Sequence, residues 1–169
     1  MPRNLVFAPG VFDHLTGGLG ERGEGRRESG AFMLGTVEGE EAQVTSLAFY
    51  DDLDPNCLTG GISFASEAYG RLWDICEERG ARVVADAHTH PSSRVTQSGI
   101  DRAHPMLGVA GHVALIFPNY SLGEIEMDEI GVHDYLGEGR WDSSLGTAAA
   151  TRLVVQTAPK RKWWQLWRR

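Results

Sequence analysis

The chain has 169 residues, which suits one domain large enough to bury its own core. Its hydrophobic fraction of 41% and charged fraction of 23% are those of an ordinary globular protein, and a net charge of −7 argues against a nucleic-acid binder. No apolar run reaches the ~18 residues of a membrane span, so no membrane partner is expected from the domain.

The apolar stretch Leu5-Val6-Phe7-Ala8 is too short for a signal peptide. Cys57 and Cys76 form no C-x-x-C pair and point to neither a disulfide framework nor a thiolate metal site; a cytoplasmic location is expected.

In chain order, residues 5–8 predict a strand broken by Pro9-Gly10. A helix begins at Val11, and Gly17, Gly18 and Gly20 should end it by about Leu19. Residues 20–27 predict a charged, flexible loop. Residues 28–37 and 42–50 predict a hairpin, followed by a loop over 51–61 rich in Asp, Pro and Gly. Ser66 predicts an N-cap, with Glu67 in the first turn. Tyr69, Leu72, Trp73 and Cys76 then make one apolar helical face, stopped at Gly80. Cys76 on that face reads as a core thiol. Residues 83–90 predict a buried strand, 91–97 a loop and 98–103 a short helix. Strands follow over 111–117 and 124–134, with short ones over 139–142 and 153–156. This alternation predicts an α/β or α+β domain over residues 1–157, with a mixed central sheet flanked by helices.

Residues 158–169 form a separate tail. Its last ten residues, from Lys160, carry five basic groups, three tryptophans and no acid. Three readings stay open. The tail docks on its own acidic domain, contacts a protein partner or a second copy of the chain, or lies on a membrane surface.

The chemistry concentrates in Ala85-Asp86-Ala87-His88-Thr89-His90-Pro91. On a strand, residues i and i+2 share a face, so His88 and His90 aim both imidazoles at one point. Pro91 ends the strand. Ser98 and Asp101 follow. Two neutral imidazoles and a carboxylate make the three protein ligands of an open zinc site. Asp86 shares the histidines' face, either as a partner to an imidazole N–H or as a partly exposed structural acid. His14, His104, His112 and His133 have no partner at ligand spacing and read as surface or core histidines.

The spacing H-x-H-P, six residues, S-x-x-D resembles that of the JAMM (MPN-type) zinc metalloproteases. Upstream, Glu28-Ser29-Gly30-Ala31-Phe32-Met33-Leu34-Gly35 looks like that family's E-x-G-x-x-x-G strand. The likeness covers about residues 1–145. It implies the MPN/JAMM fold, topologically similar to cytidine deaminases, and one Zn2+ per chain on His88, His90 and Asp101. It implies that Glu28 takes a proton from the attacking water and passes it to the leaving amine. It also implies that Ser98, besides capping its helix, donates to the oxyanion. The family cleaves ubiquitin or ubiquitin-like proteins from conjugates, or trims the tails of such modifiers. The compact length looks like its prokaryotic branch, which processes ubiquitin-like modifiers, in some cases within antiphage operons beside activating and conjugating enzymes. Asp51, Asp52 and Asn56 sit where a substrate-gripping insertion would, and are assigned to substrate contact. A zinc-retaining MPN scaffold without catalysis, and an amidase acting on a sulfur-carrier protein or small molecule, remain as alternatives. H-E-x-x-H, P-C-x-x-C and G-x-S-x-G patterns are missing.

Overall fold

The computed structural model describes residues 4–59 and 61–158; the basic, tryptophan-rich run 160–169 lies outside the described residues, and with it the expectations placed on that tail. The elements are β1 (Asn4–Phe7), α1 (Val11–Gly23), β2 (Gly30–Glu38), β3 (Glu41–Phe49), α2 (Tyr50–Leu53), α3 (Ser66–Glu78), β4 (Arg82–Thr89), α4 (Gly99–Ala103), β5 (Val113–Phe117), β6 (Gly131–Gly137), β7 (Arg140–Ser144), α5 (Thr147–Ala150) and β8 (Leu153–Val155). The strands make one mixed sheet in the order β7-β6-β5-β4-β2-β3-β1-β8. Strand β2 runs antiparallel to both β3 and β4, and β4 runs parallel to β5. The expected mixed α/β architecture is therefore present.

Side-chain alternation along β2 divides the core into two layers. Ala31 and Met33 join the layer built with Leu15 and Leu19 of α1, together with Leu115 and Phe117. Phe32 and Leu34 join the opposite layer, with Tyr50 of α2 and with Ala68, Leu72 and Cys76 of α3. Each fully buried Leu, Met or Phe among them contributes about 1.5–3 kcal/mol. Cys57 and Cys76 are both buried and unpaired, in keeping with a core role for Cys76. Helix α3 ends where expected. Gly80 takes φ 57, its N–H donates to the Glu77 carbonyl, and the Ala81 N–H donates to that of Cys76.

Several local expectations are corrected. Helix α1 runs to Gly23, not to about Leu19, because its glycines are contact points. A Cβ on Gly18 would lie 2.3 Å from the Phe49 ring, and one on Gly20 would lie 2.7 Å from the Ser121 carbonyl oxygen. Close packing there outweighs the ~1 kcal/mol that each glycine costs a helix. The loop expected over 51–61 begins as helix α2, which buries Tyr50 and Leu53. Ser66 is not a cap: Ala65 holds that position, and the Ser66 hydroxyl bonds the Glu67 carboxylate at 3.1 Å. Trp73 is 48% exposed, and Ala68 takes its place on the buried face. The strand expected over 124–134 starts only at Gly131, because a 3-10 turn, Met127–Glu129, precedes it. The Glu129 carboxylate stabilises that turn by accepting the Glu126 N–H at 2.9 Å. Among the described residues, no helix is long and apolar enough to cross a membrane.

Candidate metal centre

Strand β4 lies inside the sheet, and its carboxyl end opens beside its parallel neighbour β5, where α/β sheets place their ligands. His88 and His90 stand at that end. The His90 N–H donates to the Phe117 carbonyl, and its own carbonyl accepts the Tyr120 N–H, both at 2.8 Å. Residues 119–121 hold this position in left-handed conformation, with φ from 51 to 57, a strained run of non-glycine residues beside the site.

Asp101 arrives on α4, whose first turn is fixed by a reciprocal cap. The Ser98 N–H donates to Asp101 Oδ2 at 2.6 Å, and the Asp101 N–H donates to Ser98 Oγ at 3.2 Å. His88 Nε2 and His90 Nε2 are 3.3 Å apart. Asp101 Oδ2 is 3.3 Å from His90 Nε2, and Oδ1 is 3.5 Å from His88 Nε2. The side chains are largely withdrawn from solvent.

The tautomer of His90 is set from behind. A carbonyl only accepts, so Nδ1–H donates to the Arg94 carbonyl at 2.8 Å, and Nε2 turns a lone pair toward the cluster. Lone pairs of an imidazole and a carboxylate at this separation need a cation between them. These three side chains could hold a metal ion. Burial opposes the charge of Asp101, but hydrogen bonds from His88 and His90 hold its carboxyl well below the usual range. Burial likewise opposes a charge on His90, but Asp101 and the Arg94 carbonyl prevail and raise its pKa.

Glu28 lies two residues before the start of β2. Gly30 pairs with His88, and the Thr89 N–H donates to the Ser29 carbonyl, so the register carried on places Glu28 opposite His90. Burial raises the Glu28 pKa; His88 and His90 pull it back, and Asp101 pushes it up further. The E-x-G spacing thus brings a half-buried carboxylate to the cluster without adding it to the ligand set.

The remaining sequence candidates lie elsewhere. Asp86 is neither partly exposed nor bonded to His88 or His90. It is 1% exposed, accepts the Tyr50 hydroxyl at 2.8 Å, and contacts His112 Nε2 at 2.5 Å. Asp51 and Asp52, assigned to substrate contact, both bond Arg22, at 2.8 and 2.9 Å. Asn56 is exposed, with its N–H donated to Asp54 Oδ1.

Two supporting residues carry no motif signal. His133, read as a surface or core histidine, is buried; its Nε2–H donates to the Val95 carbonyl at 2.9 Å, and its Nδ1 accepts from the Ser143 hydroxyl at 2.8 Å. Trp141 Nε1–H donates to the Arg102 carbonyl at 3.1 Å, next to Asp101. Gly131 lets the strand meet the loop, since a Cβ there would lie 2.2 Å from the Val95 oxygen.

No family model matches the chain. Among solved structures, the chain is similar to protein DSY2949 from Desulfitobacterium hafniense, determined in solution, with a TM-score of 0.63 at 11% identity, over 94% of this chain and 97% of that one. At that identity the likeness is one of fold alone.

Proposed function

We propose that this chain is a zinc-dependent peptidase of the JAMM type, with the MPN fold, that cleaves after the C-terminal tail of a ubiquitin-like modifier. The observation that carries the reading is the spacing of the three ligand atoms. Tetrahedral zinc with nitrogen and oxygen ligands at ~2.0–2.1 Å separates those ligands by about 3.3–3.4 Å. Here the two imidazole nitrogens are 3.3 Å apart, and the Asp101 carboxylate reaches each of them, with Oδ2 3.3 Å from His90 and Oδ1 3.5 Å from His88. The second support is the nearness of Glu28, whose pKa responds to His88, His90 and Asp101 and which lies two residues before the Gly30–His88 pair.

Bound zinc would supply Lewis acidity and bring the pKa of a water down to about 7. The chain's own groups do the rest. Glu28, with its pKa raised by burial, is suited to take a proton and return it to a leaving amine. Ser98 Oγ accepts the Asp101 N–H, so its hydroxyl proton is left to donate to a developing oxyanion. A preorganised donor of that kind contributes about 3 kcal/mol. The Arg94 carbonyl keeps His90 in the ligating tautomer.

The proposed substrate is a ubiquitin-like protein, as a precursor or a conjugate, presented as a narrow glycine-ended tail. The partners of the same reading are activating and conjugating enzymes of one operon. Such a tail does not add a strand beside β4, because among the described residues the edge strands of the sheet are β7 and β8. The nearer edge lies three strands away, about 14 Å. In this reading the tail is gripped by loops around α4 and the turn after β5.

The test is incubation of the zinc-loaded chain with a ubiquitin-like protein carrying a C-terminal extension, read by intact mass. The expected result is loss of the extension, abolished by chelator. An uncleaved substrate across a panel of such modifiers overturns the reading.

A further inference from the structure

The cluster Tyr50–Asp86–His112 makes no hydrogen bond to His88, His90 or Asp101, and its His112 lines an open cleft. The cleft, of about 370 Å³, lies toward the start of β4 and is lined by Val37, Trp73, Arg82, Leu107, Val109 and His112, among others. That volume falls at the low end for small-molecule sites. None of its lining residues is a ligand of the metal centre. Arg82 and His88 are six residues apart on one strand, about 20 Å.

Four separate oddities of the surface and core meet in this cleft. First, Asp86 and His112 are a buried acid–base pair, with Tyr50 bonded to the other carboxylate oxygen. A buried pair of this kind adds little stability over apolar packing, whereas it does orient an imidazole. Second, the remaining ring nitrogen of His112, Nδ1, has no hydrogen-bond partner among the described residues and is not sealed from solvent. Third, Arg82 makes no ion pair among the described residues. Fourth, Trp73 is 48% exposed and Val109 67% exposed, apolar surface that no neighbour covers.

We propose that this cleft binds a small carboxylic acid with an aromatic or branched hydrocarbon body, its carboxylate between Arg82 and His112 and its body against Trp73, Leu107 and Val109. Arg82 supplies a planar cation that suits a carboxylate. His112, held by Asp86, supplies the second polar contact from the floor. The apolar wall selects against small hydrophilic acids. The site is independent of the peptidase reading and stands or falls separately.

The experiment is a titration of the zinc-loaded, full-length, nitrogen-15-labelled chain with 3-phenylpropionate, followed by amide NMR shifts. Uncharged 3-phenylpropionamide and cationic 3-phenylpropylamine serve as controls. Saturable shifts confined to Arg82–Val84 and Leu107–His112 are expected, with both controls weaker by about tenfold or more. Arg82→Gln and Val109→Glu, both at exposed positions, should each weaken the acid by about tenfold while leaving the spectrum folded. The His88→Ala,His90→Ala chain should bind it as the parent does. Absence of saturable shifts, equal binding of the amide or amine, or loss of binding in the double-alanine chain would each overturn the proposal; the last would place the acid on the metal.

Discussion

His133 on β6 donates through Nε2 to the carbonyl of Val95 at 2.9 Å, and so ties the sheet to the loop that orients His90. Val95 adjoins Arg94, whose carbonyl sets the His90 tautomer. Burial holds the His133 pKa down against the pull of the Val95 carbonyl, which keeps the ring neutral and its tautomer fixed. Trp141 secures the other end of the same segment through Arg102. The β6–β7 hairpin therefore bears on two of the three side chains that could hold a metal ion, without belonging to that set.

It follows that His133→Ala should bind zinc more weakly, by less than the ~10–100-fold typical when a direct hydrogen-bond partner of a ligand is lost. Competition with a chromophoric chelator measures this. Gly131→Ala should do the same by pushing the Val95 carbonyl away. Unchanged affinity in both variants would reduce the hairpin to a purely structural element.

The metal centre itself predicts one zinc per chain, measured by elemental analysis, and its loss in His88→Ala,His90→Ala. Zinc should also raise the melting temperature, because ligand at about 1,000 times its Kd stabilises the folded state by about 4 kcal/mol. A double-alanine chain that retains one tight zinc would move the site elsewhere.

Glu28→Gln separates binding from chemistry. Glu28 is not among the three ligands, so the variant should keep its zinc and its melting temperature. Hydrolysis should fall by about 10²–10⁴-fold, the usual contribution of a positioned acid–base group. Turnover like the parent's would remove Glu28 from the mechanism.

The parts legible in the sequence are those written locally. The alternation of His88 and His90, the stop at Pro91 and the Ser98–Asp101 cap all lie within one strand, turn and helix. What escaped was written across the fold. Nothing near Asp86 indicates Tyr50 or His112, which stand 36 and 26 residues away. Asp51 and Asp52 read as substrate contacts from the sequence, and nothing beside them indicates Arg22, 29 and 30 residues distant, which both of them bond. The glycines of α1 read as helix breakers because their cost is local, while their compensation is the Phe49 ring of another element.

The buried hydroxyl and thiol groups predict a loss of stability in alkali. Burial, and then the Asp86 carboxylate, hold the Tyr50 pKa well above its ordinary 10.0. Burial, with Asp54 and Asp51, raises Cys57 from 9.0 to about 11. Burial also raises Cys76 from 9.0. Each group keeps its proton in the native state at a pH where the unfolded chain has released it. The unfolded state then binds fewer protons, so stability falls as pH rises. The fall should begin near pH 9, where the unfolded thiols titrate, and steepen near pH 10 with the unfolded phenol. The contribution of Cys57 is exhausted by about pH 11, when the native thiol ionises too. Urea midpoints from neutral to alkaline pH measure this. Cys57→Ala should flatten the first part of the decline. Tyr50→Phe should flatten the part above pH 10, after a cost at neutral pH of about 1–3 kcal/mol for leaving Asp86 short of a donor. Parallel curves for the parent and both variants would mean that other groups set the alkaline limit.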